Sequence, residues 1–299
     1  MSGGASLCER LEAQGLTVRR GVMGRAVTTF AVGGAMVLAE FDCAAQAAAA
    51  QRVWDGSPVR VLGAGSNLVI DDAGVPGVVL KAGRGLRYVK PLGEGRFEAG
   101  AALPLMSLAR RMCDAGWSGL EFAGGIPGSV GGALRMNAGA YGRQTADLLI
   151  AVTAAVDGEI VRFRREEIEF GYRRSGLPAE AAVVSAEFQL TPGDRSLINR
   201  RRAELLAQRK ARQPLGYASA GSVFKNPPHG LSAGALIEQT GLKGALIGGA
   251  RVSEKHANWI INPDKNASSR DIRALVDLIR ARVCERWGVE LECEIIFWP

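Results

Sequence analysis

The first residues that suggest chemistry form a glycine turn at positions 63–67. An apolar segment, residues 59–62, runs into this turn, which ends in two small polar residues, Ser66 and Asn67. A turn of this kind can direct several backbone N–H groups at a phosphate oxygen, and the two polar side chains add further donors. A tight turn between two strands uses the same residue types, so the segment alone leaves both interpretations open.

The second glycine-rich segment, at positions 124–142, is denser. It reads GGIPGSVGGA at 124–133 and NAGAYG at 137–142. Residues without a Cβ atom let the backbone lie directly against a flat or diphosphate-bearing ligand. A flexible linker explains the segment poorly, because linkers lack interspersed apolar residues such as Ile126, Val130 and Met136.

Several other kinds of site are excluded by what the sequence lacks. The third glycine of GxGxxG is missing after Gly65 and no GxxxxGK[ST] occurs, so neither a Rossmann dinucleotide site nor a P-loop is predicted. Two histidines exclude a histidine-rich metal site and leave few ways to build a Ser-His-Asp hydrolase. The five cysteines are scattered without a CxxC pair, so we expect reduced thiols, no disulfide framework and no metal.

Basic residues are concentrated between positions 200 and 212, in a chain whose formal net charge is +7. The members of this cluster lie on one predicted helix: Arg200, Arg201, Arg202, Arg209, Lys210 and Arg212. A solvated helical face is the simplest interpretation, and nucleic-acid binding is the alternative. A modest positive surplus would also attract a small molecule that carries a diphosphate.

The elements that must position these segments are short apolar runs separated by glycine turns up to about residue 191. Helical periodicity occurs at 7–14, 44–54, 105–115, 197–212, 233–240 and 269–287, and a final strand is predicted at 289–298. The 299 residues, 47% of them hydrophobic, leave room for about two domains. We predict an α+β fold with a helical lead-in at 1–21 and domains at 22–192 and 193–299.

The sequence contains no membrane signal. No run approaches the roughly 18 apolar residues that span a bilayer, and the first 16 residues lack a basic stretch followed by an apolar block. We therefore expect a cytoplasmic protein.

The two glycine segments together resemble the FAD-binding domain of flavoproteins of the vanillyl-alcohol-oxidase (PCMH) type, in which both loops wrap the cofactor. Some members attach the flavin through a histidine near the first loop or a cysteine near the second. This chain has Ser66 in the first loop and no cysteine in the second, so the resemblance implies non-covalent FAD. It assigns cofactor binding to Gly63, Ala64, Gly65, Ser66, Asn67, Gly124, Gly125, Ile126, Pro127, Gly128, Ser129, Gly131, Gly132, Asn137, Gly139 and Ala140.

The second half of the chain resembles the UDP-N-acetylenolpyruvoylglucosamine reductase (MurB) family in the order and spacing of five segments. They are YRRS at 172–175, GSVFKNP at 221–227, LIEQTGLKG at 236–244, SEKHANWIIN at 253–262 and LECE at 291–294. The resemblance covers roughly residues 22–299. The interval from Arg173 to Ser222, 222 − 173 = 49 residues, resembles the shorter family variant that lacks an extra tyrosine-bearing substrate loop.

This resemblance implies an FAD-dependent oxidoreductase that uses NADPH to reduce UDP-N-acetylglucosamine enolpyruvate to UDP-N-acetylmuramate in peptidoglycan precursor synthesis. The implied domains are an FAD-binding PCMH-type domain followed by a smaller α+β substrate-binding domain. The implied partners are NADPH and the UDP-sugar, which use one pocket in turn, with no nucleic acid and no membrane; we expect a monomer. Catalysis is assigned to Arg173, Ser222 and Glu294. Substrate contacts are assigned to Tyr172, Lys225, Asn226, Gln239, His256 and Asn258.

The chemistry of that reaction suits these residue types. Reduction of an enol ether conjugated to a carboxylate builds enolate-like charge, which requires a cation and a proton source. An arginine fork suits the carboxylate, Glu294 can share a proton with the developing enol, and Ser222 can protonate carbon as a general acid. The residues alone do not choose Arg173 over Arg174, and Ser222 after Gly221 equally suits a turn or a helix cap.

Two residues have further interpretations that stay open. Alternation along the predicted final strand places Glu292, Glu294 and Ile296 on one face, which predicts partial burial of Glu294. His256 is as well suited to a structural role as to a substrate contact.

Two rival functions are distinguishable by simple observations. A flavin oxidase that acts on a sugar or lactone would reoxidise rapidly with oxygen. A nucleic-acid-binding protein would be colourless and would retain DNA or RNA in a salt-sensitive manner.

Overall fold

The structure is a computed structural model that describes residues 5–57 and 59–299. Residues 1–4 of the predicted lead-in lie outside the described residues. The described helices are α1 (Leu7–Ala13), α2 (Gly24–Val27), α3 (Ala44–Arg52), α4 (Leu105–Asp114), α5 (Val130–Arg135), α6 (Arg195–Arg212), α7 (Ala233–Gln239) and α8 (Ser269–Trp287). The described strands are β1 (Thr17–Met23), β2 (Ala35–Phe41), β3 (Arg60–Leu62), β4 (Leu68–Ile70), β5 (Val78–Ala82), β6 (Val89–Gly93), β7 (Arg96–Gly100), β8 (Trp117–Ser118), β9 (Gly139–Ala140), β10 (Arg143–Gln144), β11 (Leu149–Val156), β12 (Glu159–Arg164), β13 (Phe170–Gly171), β14 (Arg174–Ser175), β15 (Ala182–Gln189), β16 (Thr191–Pro192), β17 (Leu246–Ile247), β18 (Ala250–Val252), β19 (Ile260–Ile261) and β20 (Ile296–Trp298).

The described chain divides into two compact units, each made of several chain segments. Unit 1 contains residues 5–20, Val37–Ala64 and Gly77–Gln208. Unit 2 contains Gly21–Met36, Gly65–Pro76 and Arg209–Pro299. The boundary predicted at residues 192–193 divides the sequence into continuous ranges, whereas each compact unit contains several chain segments. The predicted boundary stays a prediction.

Unit 1 is built on two larger sheets. One is a five-stranded antiparallel sheet with the order β12-β11-β15-β7-β6. The other has the order β1-β2-β5-β3, and β5 runs parallel to both of its neighbours. Because β3 and β5 are parallel, the turn that follows β3 lies beside the carboxyl end of β5, where Leu62 pairs with Lys81.

Two apolar cores hold unit 1 together. On α4 the buried residues Leu105, Leu108, Ala109 and Met112 recur at helical spacing and join the core beneath the five-stranded sheet. Buried alanines of α3, which packs against β11, belong to the second core together with residues of β2 and β5. These cores fix the framework on which the glycine segments lie.

Unit 2 is a smaller assembly around α7 and α8. The antiparallel sheet β17-β18-β19 and the parallel pair β20-β4 complete it. The cap of α8 is reciprocal: Ser268 Oγ accepts from Asp271 N at 3.0 Å, and Ser268 N donates to Asp271 Oδ2 at 2.9 Å. Gly288 ends the helix in the left-handed region, at φ +65°. The buried face of α8 contains Ile272, Leu275, Val276, Ile279 and Val283.

Three elements differ from the sequence predictions. α6 begins at Arg195 instead of residue 197, because Asp194 Oδ1 accepts from Leu197 N at 2.8 Å and starts the helix earlier. The final strand is limited to Ile296–Trp298, the residues that pair with β4, and the chain before it makes only an isolated bridge. A short helix, α5, also lies within the second glycine segment, where the sequence suggested loop.

Within the described residues, no helix combines the length and apolar character needed to cross a bilayer.

Candidate cofactor and substrate sites

In unit 1 the two glycine segments meet. A Cβ atom at Gly63 would lie 3.0 Å from Ser129 Oγ and 3.5 Å from Gly132 Cα. Ser129, which is buried, caps α5 by accepting from Gly132 N at 3.3 Å. Side chains at positions 63 and 132 would therefore fill the space between the segments, and the backbone forms a cradle there.

Lys81 places a cation directly beside the first glycine turn. Its Nζ donates to the Gly63 carbonyl oxygen at 2.5 Å. Burial lowers the pKa of Lys81, and the carboxylate of Glu40 acts in the opposite direction. The bond holds the Gly63 carbonyl toward the lysine and leaves a positive charge next to the cradle. Lys81 follows an apolar run and has no distinctive spacing, so no sequence pattern marks it as a functional residue.

Gly65 begins the part of the first turn that belongs to unit 2. It has φ +65°, and a Cβ atom there would overlap the Val27 carbonyl oxygen. Asn67 makes two hydrogen bonds with the C-terminal segment. Its Nδ2 donates to the Glu294 carbonyl at 2.8 Å, and its own carbonyl accepts from Ile296 N at 2.9 Å. The turn therefore determines the course of the C-terminal segment in unit 2.

Arg173 occupies the tip of a tight hairpin in unit 1. β13 and β14 pair Gly171 with Arg174, so Tyr172 and Arg173 form the two-residue turn. Only the second of these has positive φ, +56°, at a position that type II turns normally give to glycine or asparagine. A left-handed residue other than glycine costs about 1–3 kcal/mol and is typical of functional sites.

The two adjacent arginines differ in their contacts. Arg173 lies over the Tyr172 ring at 5.1 Å and donates from Nη1 to the Gly139 carbonyl at 3.3 Å, within the second glycine segment. Arg174, by contrast, forms an exposed ion pair with Glu169 at 2.6 Å. The geometry therefore separates two residues that the pattern of types alone left equivalent.

In unit 2, the segment that contains Ser222 lies beside the segment that contains Glu294. Glu294 N donates to the Val223 carbonyl at 2.8 Å, and Lys225 N donates to the Glu292 carbonyl at 2.9 Å. Ser222 and Glu294 are both half-buried, whereas Ile296, which the predicted alternation placed on the face of Glu294, is 43% exposed. Two candidate proton donors thus lie in neighbouring chain segments.

Asn258 holds the signature segment in place through both ends of its amide. Its Oδ1 accepts from Phe224 N at 2.9 Å, and its Nδ2 donates to Phe224 O at 2.8 Å. Val223 N also donates to the Asn258 carbonyl at 2.9 Å. The buried side chain of Asn258 therefore positions residues 223–224, a role that the sequence pattern did not reveal.

The remaining predicted substrate residues have varied surroundings. Lys225 forms an ion pair with Glu292, and Asn226 Oδ1 accepts from Ala233 N at 3.1 Å at the start of α7. Burial lowers the pKa of His256, followed in effect by the nearby cation of Lys243. Tyr172 is 55% exposed. Gln239 lies exposed at the end of α7.

The candidate residues are divided between the units. Arg173, Tyr172 and most of the glycine positions belong to unit 1, whereas Ser222, Glu294 and the other substrate residues belong to unit 2. Among the residues that the structure describes, no cluster of histidine, cysteine or carboxylate side chains could hold a metal ion.

Comparison with known proteins assigns the family. The family model for the UDP-N-acetylenolpyruvoylglucosamine reductase C-terminal domain matches residues 213–298, and the model for an FAD binding domain matches residues 34–164. A UDP-N-acetylenolpyruvoylglucosamine reductase from Heliobacterium modesticaldum is 48% identical over 242 residues, which is 80% of this chain and 76% of the relative. A relative of the same name from Synechococcus is 45% identical over 93% of this chain and 90% of its own length.

The chain belongs to the UDP-N-acetylenolpyruvoylglucosamine reductase family.

A solved member of this family has the same fold. The crystal structure of UDP-N-acetylenolpyruvylglucosamine reductase from Thermus caldophilus is 38% identical, covers 95% of this chain and 100% of its own, and has a TM-score of 0.84. The family and the α+β fold with an FAD-binding domain, both predicted from the sequence, are therefore confirmed.

The residues of unit 1 fit the cofactor that this fold implies. Gly63 and Gly132, which line the cradle, have no Cβ atom, Ser129 supplies a polar group, and Lys81 supplies a cation beside it. Backbone N–H groups and a cation are what a diphosphate requires.

Proposed function

We propose that this chain is an FAD-dependent oxidoreductase that uses NADPH to reduce UDP-N-acetylglucosamine enolpyruvate to UDP-N-acetylmuramate, in the synthesis of peptidoglycan precursors. The observation that carries the proposal is likeness over nearly the whole chain to family members, 45% identity over 93% of its length and a TM-score of 0.84. Both the cofactor domain and the C-terminal domain are included in this likeness.

Bound FAD supplies the capacity to accept hydride from NADPH and pass it to the substrate. We propose that Gly63, Ser129 and Gly132 hold its diphosphate, and that Lys81 fixes the first turn and adds positive charge. Apart from Asn137, the other glycine-segment residues that the resemblance assigns to the cofactor remain part of this proposal. Non-covalent binding is supported by Ser66 in the first loop and by the lack of cysteine in the second.

Arg173 is proposed to bind the carboxylate of the enolpyruvyl group. Its planar fork suits a carboxylate, and its charge would offset the electron density that builds up during reduction. The hairpin tip, the left-handed backbone and the contact with Gly139 support this role. Arg174, paired with Glu169 at the surface, is not part of the proposed site.

Ser222 and Glu294 are proposed to supply protons. Ser222 protonates the substrate carbon as a general acid, and Glu294 shares a proton with the developing enol. Their neighbouring, half-buried positions in unit 2 support a joint role.

Substrate contacts are proposed for Tyr172 in unit 1 and, in unit 2, for Lys225, Asn226, Gln239 and His256. Lys225 can exchange its ion pair with Glu292 for a phosphate of the nucleotide. Because its pKa is lowered, His256 is neutral at physiological pH and contributes hydrogen bonds more than charge. Asn258 would act indirectly, by holding residues 223–224.

We further propose that the enzyme is a cytoplasmic monomer and that its product serves cell-wall formation, cell shape and cell division. The FAD-binding domain is proposed to span residues 22–192, and the substrate-binding domain residues 193–299. The proposed ligands, a UDP-linked sugar and NADPH, are both small anions. The net charge of +7 favours their approach.

One preparation tests the proposal. Purified protein should be yellow, should release its flavin on acid precipitation, and should oxidise more than one equivalent of NADPH only when the enolpyruvyl substrate is present. Flavin that stays in the washed pellet would refute non-covalent binding. Rapid NADPH oxidation with oxygen alone would favour an oxidase, and colourless protein that FAD cannot reconstitute would refute the enzyme.

A further inference from the structure

The hairpin that contains Arg173 is attached to the residues that follow α5. Asn137 is 2% exposed, and its Nδ2 donates to the Gly171 carbonyl at 3.0 Å, two residues before Arg173. The same amide donates to Gln144 Oε1 at 2.9 Å, and its Oδ1 accepts from Ala146 N at 3.2 Å. The polar atoms of this side chain therefore bond within the protein, and one of the bonds reaches β13.

The backbone at Asn137 explains why asparagine suits this position. Its φ is +41°, a left-handed conformation that asparagine tolerates better than most residues. Glycine would accept the same backbone without strain. The side-chain bonds of Asn137 can therefore be removed separately from its backbone conformation.

The second strand of the hairpin is held by the last residue of α5. Ser175 Oγ donates to the Arg135 carbonyl at 3.1 Å. The Arg135 guanidinium donates to the carbonyls of Leu177 and Pro178 at 2.7 and 2.8 Å, and to Ala181 at 3.1 Å. Both strands that flank the Arg173 tip are thus fixed to the end of one helix.

This helix begins at the cofactor cradle. Ser129 caps α5 beside Gly63, and the other end of α5 holds the hairpin. Arg173 has a left-handed backbone that its own residue type disfavours, so contacts around the tip must maintain it. The bond from Asn137 to Gly171 is the closest side-chain anchor on the incoming strand.

We infer that Asn137 is a positioning residue for the reaction: it holds Arg173 at a fixed place relative to the cofactor cradle, through Gly171, and is not itself a contact of the flavin. The inference rests on the proposed role of Arg173 in binding the substrate carboxylate. It replaces the cofactor role that the sequence resemblance assigns to the Asn137 side chain.

The test compares N137G with Q144A in the FAD-loaded enzyme. N137G removes the bond to Gly171 and keeps the backbone conformation, whereas Q144A removes another partner of Asn137 and keeps that bond. A displaced catalytic group commonly costs up to about 100-fold, so we expect N137G to lower kcat/KM for the enolpyruvyl substrate about 10- to 100-fold. Q144A should stay within about threefold, and the Kd for FAD should change less than about threefold in both.

A double-mutant comparison with R173K separates positioning from a general structural effect. If Asn137 acts through Arg173, N137G adds little to the loss already caused by R173K. Losses that multiply in N137G/R173K would overturn the inference, as would a large rise in the Kd for FAD in N137G. If R173K itself leaves kcat/KM unchanged, the proposed role of Arg173 fails instead. Should N137G not fold, N137D removes the same donor, keeps the acceptor for Ala146, and is subject to the same criteria.

Discussion

At the scale of single residues, Arg173 and Arg174 are neighbours in sequence with different surroundings. Arg173 lies at a left-handed hairpin tip and contacts Gly139, and Arg174 forms an exposed pair with Glu169. We predict that Arg173→Ala lowers kcat/KM for the enolpyruvyl substrate at least about 100-fold, because a carboxylate loses its charged, bidentate partner.

Arg174→Ala is the matched control, since an exposed ion pair contributes little. Steady-state kinetics of both variants measure the difference. Similar losses in the two variants would mean that the hairpin as a whole matters and that neither side chain binds the carboxylate.

Ser222 offers a prediction about separate half-reactions. We expect Ser222→Ala to leave flavin reduction by NADPH nearly unchanged, because that step needs no protein proton donor. Reoxidation by the enolpyruvyl substrate should slow by about 10²- to 10⁴-fold, the usual effect of removing a general acid. Ser222→Cys keeps a proton donor and should retain more activity than alanine. Rapid-mixing absorbance without oxygen measures each half, and equal slowing of both halves would reduce Ser222 to a packing or binding residue.

Glu292 and Glu294 provide a matched pair of carboxylates. The Glu292 side chain is 73% exposed and pairs with Lys225, whereas Glu294 is half-buried beside the segment of Ser222. We predict that Glu294→Gln lowers kcat by about 10²-fold or more, and that Glu292→Gln stays within about threefold. Small, equal losses in kcat would exclude both carboxylates from proton transfer.

The sequence predicted some of these residue environments and missed others. Glu294 is half-buried as predicted, but the reason was wrong: Ile296, which the alternation placed on the same face, is 43% exposed, and Glu294 lies before the strand Ile296–Trp298. The structural task of Asn258 depends on bonds to Phe224, 34 residues away, and no local pattern encodes such a pairing. The same holds for Asn137 and Gly171.

At the scale of elements, helices with a clear apolar face were the most predictable. α8 has the predicted bounds, 269–287, because its cap, its buried stripe and its terminal Gly288 all indicate the same helix. β6 and β12 were not predicted, since most of their residues are exposed and the apolar alternation in β12 is limited to Val161 and Phe163. α5 was hidden within the glycine segment because glycine disfavours helix, and its buried Val130, Ala133 and Leu134 offset that preference.

The pairing of β3 with β5 leads to a prediction for cofactor binding. Because Leu62 and Lys81 are paired, the lysine reaches the Gly63 carbonyl beside the cradle. We expect Lys81→Met to raise the Kd for FAD about tenfold, which corresponds to ~1.4 kcal/mol and is near the lower end of the range for a hydrogen bond from a charged group. Lys90→Met is the control, because Lys90, on β6, is exposed and its ammonium group lies over the ring of Tyr88.

The lowered pKa of Lys81 predicts the direction in which FAD affinity changes with pH. Burial lowers the pKa of Lys81, so its ammonium group loses its proton at a lower pH than an ordinary lysine. An anionic diphosphate favours the protonated form, and FAD affinity should therefore fall as pH rises through that lowered pKa. Titration of apoprotein with FAD at several pH values should show this fall in the wild type and a weaker one in Lys81→Met. Identical profiles would exclude Lys81 from diphosphate binding.

At the scale of the whole molecule, each unit gathers segments that are distant in sequence. In unit 2, β4 near residue 70 pairs in parallel with β20 at the C-terminus, with Leu68 opposite Ile296. Composition and length indicated about two domains, and the ordered motifs indicated the family. Neither source contains the register of a pairing between residues 228 positions apart, 296 − 68 = 228, because that register depends on the packed core.

In the proposed function, the molecule passes reducing equivalents from NADPH to an enolpyruvyl UDP-sugar through bound FAD. The most direct measurement is an anaerobic titration. Protein bleached with one equivalent of NADPH is mixed with UDP-N-acetylglucosamine enolpyruvate, and both the flavin absorbance and the sugar product are recorded. We expect one equivalent of substrate to restore the oxidised flavin spectrum and to yield one equivalent of UDP-N-acetylmuramate. Flavin that stays reduced until oxygen is admitted, with the enolpyruvyl sugar recovered unchanged, would contradict it.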